Sequence, residues 1–256
     1  SHALRAGAPV ASFTENRGQW PEKVLYRVLL PSGALFIEQE AFTYVLQRGG
    51  EAHEHGTAHH DHPAEPYAAH AFKVHFKNGR AQRWSGANKA AHYENFFLGN
   101  DPARWGTGCG VYGEVTLHGV WPGIDLHVDG THGLKYEFMV AAGADPDAVR
   151  LVYEGQDDIR IRDERCVVRT TAGELIEEEP LSYYADDGDR TPIATRFQLS
   201  RNELSFLLPT TVDRARDLVI DPVLAFSSYS GSTGNNFGFT ATYDDLGHLY
   251  GGGIVF

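Results

Sequence analysis

The stretch Ile124-Asp125-Leu126-His127-Val128-Asp129-Gly130-Thr131-His132-Gly133-Leu134-Lys135-Tyr136-Glu137-Phe138-Met139-Val140 decides the fold class. Ile124, Leu126 and Val128 alternate with Asp125, His127 and Asp129, and beyond a loop at 129–133 Leu134, Tyr136, Phe138 and Val140 share one face with Lys135 and Glu137 on the other. A period of two sends one set of side chains to a core and the other to solvent. The stretch therefore reads as an antiparallel hairpin with one wet face. A second strand, at 71–77, alternates Phe72, Val74 and Phe76 with Lys73, His75 and Lys77, and Asn78-Gly79 follows as a turn able to take positive φ.

Working outward, short apolar or alternating runs recur at 24–30, 34–37, 42–46, 111–117, 149–153, 159–161, 166–170, 195–199, 204–208 and 218–220. They are punctuated by 28 glycines and 12 prolines. Almost nothing keeps a helical period; the best candidate is a single turn at Asp145-Pro146-Asp147. The reading is an all-β chain: an N-terminal extension at 1–12, a domain of antiparallel sheets in a sandwich-like arrangement at 13–222, and a different stretch at 223–256.

Composition narrows the function classes. The 256 residues carry 22 Lys and Arg against 34 Asp and Glu, a formal net charge of -12, which argues against attraction to phosphate backbones. No run approaches the roughly 18 apolar residues of a spanning helix, so neither nucleic acid nor membrane insertion is expected. Cys109 and Cys166 are the two cysteines, a candidate disulfide in an oxidising compartment or else two buried thiols. Residues 1–12 lack the basic end and apolar stretch of an export signal, which fits a chain that is not exported or one whose signal has been removed.

Chemistry-bearing residues cluster in few places. His53, His55, His59, His60 and His62 lie in a low-complexity insertion at 49–66 with Glu54 and Asp61, and could chelate a divalent transition metal such as zinc, nickel or copper. The set lacks His-Glu-x-x-His and any fixed helical spacing, and a solvated polar loop is the competing reading. A second group, His118, His127 and His132 with Asp125 and Asp129, lies along the hairpin; alternation puts His127 on the face opposite Ile124. Asp125, Asp129 and Glu137 could pair as glycosidase carboxylates, although 34 acidic residues make such pairs common by chance. There is no Gly-x-Ser-x-Gly elbow, which disfavours a serine hydrolase, and no phosphate-binding loop with its lysine. Asp163-Glu164 and Glu177-Glu178-Glu179 read as turn and edge charges. Trp20, Trp84, Trp105 and Trp121 are the tryptophans that could stack on sugars, most of them expected in the core.

The end of the chain resembles the SBBP-type β-propeller repeat of bacterial proteins, on Phe226, Ser227 and Tyr229, then Gly231, Gly234, Phe237 and Gly238, then Asp244, Gly247 and Tyr250. The preceding region is similar to the N-terminal domain found before such repeats in secreted proteins of Bacteroidetes-like bacteria. The matching pieces are Phe13 to Trp20, Tyr93 to Asn100, Trp121 to Leu126, Leu134 to Phe138, Gly143 to Pro146 and Leu218 to Pro222. The resemblance implies the leading part of a longer exported protein, extracellular or on the cell surface after signal removal, in a setting of type IX secretion and gliding motility. It implies no catalytic residues and no required cofactor. The expectation is a non-catalytic module for presentation, adhesion or assembly whose partners are a surface protein, a glycan or copies of itself. Self-assembly into a filament by strand addition, and a surface glycan or peptide hydrolase, are the alternatives.

Overall fold

The computed structural model describes residues 11–48, 68–131, 133–188 and 190–222, together with the backbone of three strands at 224–227, 237–243 and 249–254. The strands in chain order are β1 (Phe13–Glu15), β2 (Val24–Leu30), β3 (Gly33–Glu38), β4 (Ala41–Arg48), β5 (Ala68–Phe76), β6 (Arg83–Ala87), β7 (Tyr93–Phe96), β8 (Gly106–Tyr112), β9 (Glu114–Trp121), β10 (Ile124–Asp129) and β11 (Lys135–Val140). They continue as β12 (Arg150–Glu154), β13 (Asp158–Arg162), β14 (Arg165–Thr170), β15 (Gly173–Glu177), β16 (Leu181–Tyr184), β17 (Arg196–Ser200), β18 (Glu203–Leu207), β19 (Leu218–Asp221), β20 (Leu224–Ser227), β21 (Phe237–Tyr243) and β22 (Leu249–Ile254).

Among the described residues every pairing between these strands is antiparallel, and the sheets are open rather than closed into a barrel. The ten-stranded sheet runs β17-β18-β12-β5-β4-β3-β2-β1-β8-β7, the six-stranded sheet β16-β19-β11-β10-β9-β6, the four-stranded sheet β13-β14-β15-β20, and β21 pairs with β22. The strand β20, at the start of the stretch read as a repeat, is hydrogen-bonded to β15 from Glu174↔Ser227 to Glu177↔Leu224. The hairpin that opened the reading forms β10 and β11, with Ile124 opposite Val140 and Asp129 opposite Lys135. Its apolar residues are buried and its polar ones line the outer face.

One core joins the sheets. Phe42 on β4 meets Tyr136 on β11 with ring centroids 5.8 Å apart, Phe76 on β5 meets Trp121 on β9 at 5.9 Å, and Phe138 on β11 meets Phe206 on β18 at 5.6 Å. Each such ring removed from water contributes roughly 2 to 3 kcal/mol, and this burial holds the layers face to face. At the turn after β5, Asn78 takes the left-handed conformation at φ 56, while Gly79 is required by close approach: a Cβ there would meet the Trp121 ring at 2.7 Å.

The segment 111–117 is two strands rather than one. Gly113 is where the chain leaves β8 in one sheet for β9 in another, and its N–H bonds the carbonyls of Ala87 and Asn88. The turn at Asp145-Pro146-Asp147 forms as a short 3₁₀ helix (Pro146–Ala148) capped by Asp145. A second 3₁₀ turn (Pro102–Arg104), capped by Asp101, went unread in the sequence.

The acidic run at 177–179 also requires a correction. Glu177 is no edge charge: it is 2 % exposed, on β15 between β14 and β20. The phenols of Tyr136 (β11) and Tyr153 (β12) each donate to its carboxyl at 2.6 Å, so one carboxyl ties together all three larger sheets. Burial pushes its pKa above the ordinary carboxyl range, against the opposing pull of the two tyrosine hydrogen bonds. The edge-and-turn reading holds for its neighbours: Glu179 is exposed, Glu178 pairs with Arg165 at 2.7 Å, and Asp163 and Glu164 form the left-handed turn between β13 and β14.

Candidate functional site

Among the described residues, two places combine exposed side chains with a defined polar or aromatic arrangement. The first is the rim at β7, the last strand of the ten-stranded sheet. Among the described residues β7 pairs only with β8, which leaves its other backbone edge open. Tyr93 is 64 % exposed and Phe97 63 %, and Phe97 stands edge-on to the Trp105 ring at 5.3 Å. Local hydrogen bonds fix this shape: Thr14 on β1 donates to Glu94 at 2.9 Å, the Gly108 N–H donates to Asn95 Oδ1 at 2.8 Å, and Trp105 Nε1 donates to the Gly99 carbonyl at 3.2 Å.

Beneath the rim, Phe96 packs on Trp20 at 5.2 Å, and the Arg27 guanidinium lies within 4.8 Å of the Trp20 ring and 5.1 Å of the Phe96 ring. Arg27 is 3 % exposed, and its Nε and Nη1 have no hydrogen-bond partner; the two ring faces supply the cation–π attraction that replaces one. Asn16 sets the Trp20 turn, since its Nδ2 reaches the carbonyls of Trp20, Pro21 and Val24 while its Oδ1 accepts from the N–H groups of Gly18 and Trp20. The rim is thus built on a rigid base.

The second place is the outer face of the six-stranded sheet. A bulge interrupts the β9–β10 pairing between Ile124 and Leu126, with Gly119 at φ 61. Bulges re-aim neighbouring side chains. Here the Gly119 N–H donates to Asp125 Oδ1 at 2.7 Å, Asp125 Oδ2 accepts from His118 Nδ1 at 2.8 Å, and His118 Nε2 lies 3.0 Å from Ser85 Oγ on β6. One row away, Thr116 Oγ1 is 3.1 Å from His127 Nδ1, and His127 Nε2 is 3.8 Å from Glu114.

Farther across the same face Lys135 Nζ donates to Glu137 at 2.5 Å. Glu137 also acts on Asp221 on β19, whose pKa burial and the nearby Glu137 charge push up to about 6, with Lys135 and Arg190 pulling it down. Asp221 Oδ1 is buried without a partner. Asp129 is held below the usual carboxylate range: its burial acts against this, and the Thr131 side-chain and backbone hydrogen bonds outweigh it.

The residues singled out from the sequence separate accordingly. His53, His55, His59, His60 and His62, like His132, lie outside the described residues. Among those described, no group of three or more His, Cys, Asp or Glu is arranged to hold a metal ion. His118 and His127 do lie on one face with Asp125 and Asp129, but each is bonded in its own row rather than converging on a shared centre. Asp125 is taken by His118 and Gly119, Asp129 by Thr131, and Glu137 by Lys135. Cys109 on β8 and Cys166 on β14 are both buried free thiols, with burial raising the pKa of each. Trp20 and Trp121 are core residues, Trp105 is half-buried and Trp84 is exposed.

Sequence reasoning missed Ser85, Tyr93, Phe97 and Arg27 as site residues. Arg27 and Phe97 have apolar neighbours that read as core, while Tyr93 stands among polar residues with little strand signal. A polar recess of about 440 Å³ near Glu38, Glu40, Lys73 and Arg80 is lined by charges already paired, Lys73 with Glu38 and Arg80 with Glu40.

The fold and these surfaces define an all-β, multi-sheet domain with an open aromatic rim. Residues 13–223 match the model of a family described as a domain of unknown function (DUF7948), and the chain belongs to that family. No curated protein and no solved structure matches it.

Proposed function

We propose that the chain is an extracellular recognition module, the leading part of a longer surface protein, that binds a protein partner by accepting one of its extended segments along β7. The carrying observation is the coincidence of an open strand edge with two largely exposed aromatic side chains on a rigidly braced base. A strand edge offers alternating N–H and C=O groups that only another polypeptide can satisfy in register, so it favours a protein over a glycan. Exposed aromatics of this kind are the anchors that dominate interface energies. The export and surface setting follows from the resemblance on Tyr93 to Asn100 and the other shared pieces. No helix among the described residues is long and apolar enough to cross a membrane, which fits a domain working at a surface.

The test is retention of the purified chain on the surface-protein fraction of the cells that make it, wild type against Tyr93→Ser/Phe97→Ser. Removing two anchors lowers retention at least about tenfold, since each tenfold corresponds to roughly 1.4 kcal/mol. Equal retention of the two proteins contradicts the reading.

A further inference from the structure

We infer that Ser85 is an activated nucleophile that takes acyl or phosphonyl groups from reactive esters, a reactivity that goes beyond recognition at β7 and does not depend on it. The inference rests on the order of atoms across β6, β9 and β10. A carboxylate can only accept hydrogen bonds, so the 2.8 Å contact of Asp125 Oδ2 with His118 Nδ1 puts the imidazole proton on Nδ1. In the neutral ring Nε2 then carries the lone pair, and it is Nε2 that lies 3.0 Å from Ser85 Oγ. Serine, histidine and aspartate therefore stand in the roles of nucleophile, base and orienting group.

Further features separate this row from an ordinary cross-strand polar ladder. The Asp125 carboxylate is itself aimed, because its other oxygen is held by the Gly119 N–H at 2.7 Å at the bulge. Ser85 is exposed and lies on the last strand of its sheet, where a substrate can approach without displacing a neighbouring strand. Arg83, two residues earlier on β6 and so on the same face, forms no ion pair among the described residues and adds a positive charge to that face. The neighbouring row provides an internal control. There Thr116 faces His127 through Nδ1, and the carboxylate lies 3.8 Å from the other nitrogen, beyond hydrogen-bonding range.

In the reaction the Ser85 Oγ–H proton passes to His118 Nε2 as Oγ forms a bond to the acyl carbon. The bond from that carbon to the leaving oxygen then breaks, and the imidazolium returns its proton to the departing alkoxide. The product is a Ser85 ester, which water removes by the same steps with His118 as base. With an alkyl fluorophosphonate, Oγ–P forms, P–F breaks, fluoride leaves and the proton stays on His118.

The experiment treats the full chain with an alkyl fluorophosphonate and follows it by intact mass and peptide mapping, with Ser85→Ala, His118→Gln, Asp125→Asn and Thr116→Val alongside. The expected result is one adduct, on the peptide containing Ser85. It is absent in Ser85→Ala, slowed about 10²-fold or more in His118→Gln and at least about tenfold in Asp125→Asn, and unchanged in Thr116→Val. Ser85→Ala removes one exposed hydroxyl and keeps the wild-type melting temperature, so its result is read on folded protein. No adduct on the wild type, an adduct elsewhere, or labelling that is indifferent to His118 overturns the inference.

Discussion

Tyrosine and glutamate are used in opposite ways at two places. In the interior, Tyr136 and Tyr153 direct both hydroxyls at Glu177, where β11, β12 and β15 meet, and every polar atom used there has a partner. At the rim, Glu94 is bonded to Thr14 and holds β7 down, while Tyr93 beside it turns into solvent. The interior group contributes to stability because undoing it leaves buried hydroxyls unpaired. The rim group contributes little to folding, since an exposed aromatic ring gains almost nothing from the folded state, and its natural use is in a complex.

The largest effect expected from breaking this contrast is at Glu177. Glu177→Ala strands two phenols in the core and opens a void, and it lowers stability by about 3 kcal/mol, a fall of roughly 10 °C in melting temperature for a domain of this size. Thermal unfolding followed by circular dichroism checks it, and a shift of under 2 °C, a limit set at about 1 kcal/mol, breaks the interior half of the contrast.

A pH series measures the next effect. Burial and the Glu137 charge raise the folded pKa of Asp221 from an ordinary 3.8 to about 6, so the native state holds its proton where the unfolded chain has lost it. Its contribution to stability is complete below the unfolded value and is lost as pH rises through 6. Wild type should therefore be most favoured over Asp221→Asn below about pH 4, with the difference shrinking as pH rises from 4 to 6 and level above about pH 7. A difference that is flat with pH, or that grows toward pH 8, refutes the assignment. Smallest of all is the rim: Tyr93→Ser/Phe97→Ser should change unfolding free energy by less than about 0.5 kcal/mol while removing binding. A large loss of stability would make those rings structural.

Much of the fold was legible because alternation is a direct consequence of strand geometry. The paired strands at Ile124–Asp129 and Lys135–Val140 and the wet face of His127 follow from a period of two, and the turn at Asn78 from the Asn-Gly dipeptide. Other elements were hidden for stated reasons. β6 (Arg-Trp-Ser-Gly-Ala) and β7 (Tyr-Glu-Asn-Phe) are exposed or edge strands with little apolar signal. Glu177 looked like one of three consecutive solvated acids, and only the tertiary arrival of Tyr136 and Tyr153 makes it a core residue. The candidate sites were legible in part. His118 and Asp125 were noticed seven residues apart, but Ser85 is 33 residues from His118 and joins them only through the β6–β9 pairing. The absence of a Gly-x-Ser-x-Gly elbow says nothing about a serine placed by a sheet edge. Several pieces that carry the family resemblance do fall on these places: Phe13 to Trp20 and Tyr93 to Asn100 at the rim, Trp121 to Leu126 at the bulge, Leu134 to Phe138 at the interior knot and Leu218 to Pro222 at Asp221.

Recognition along β7 is tested most directly by photo-crosslinking from the two ends of the ten-stranded sheet. A benzophenone amino acid replaces Tyr93 at the β7 end in one protein and Ser205 on β18, beside the β17 end, in another; each is irradiated on the surface of the producing cells. The account predicts a discrete protein adduct from position 93 that contains an extended segment of the partner, and none from position 205. Adducts from 205 alone, the same adducts from both positions, or none from 93 would contradict it.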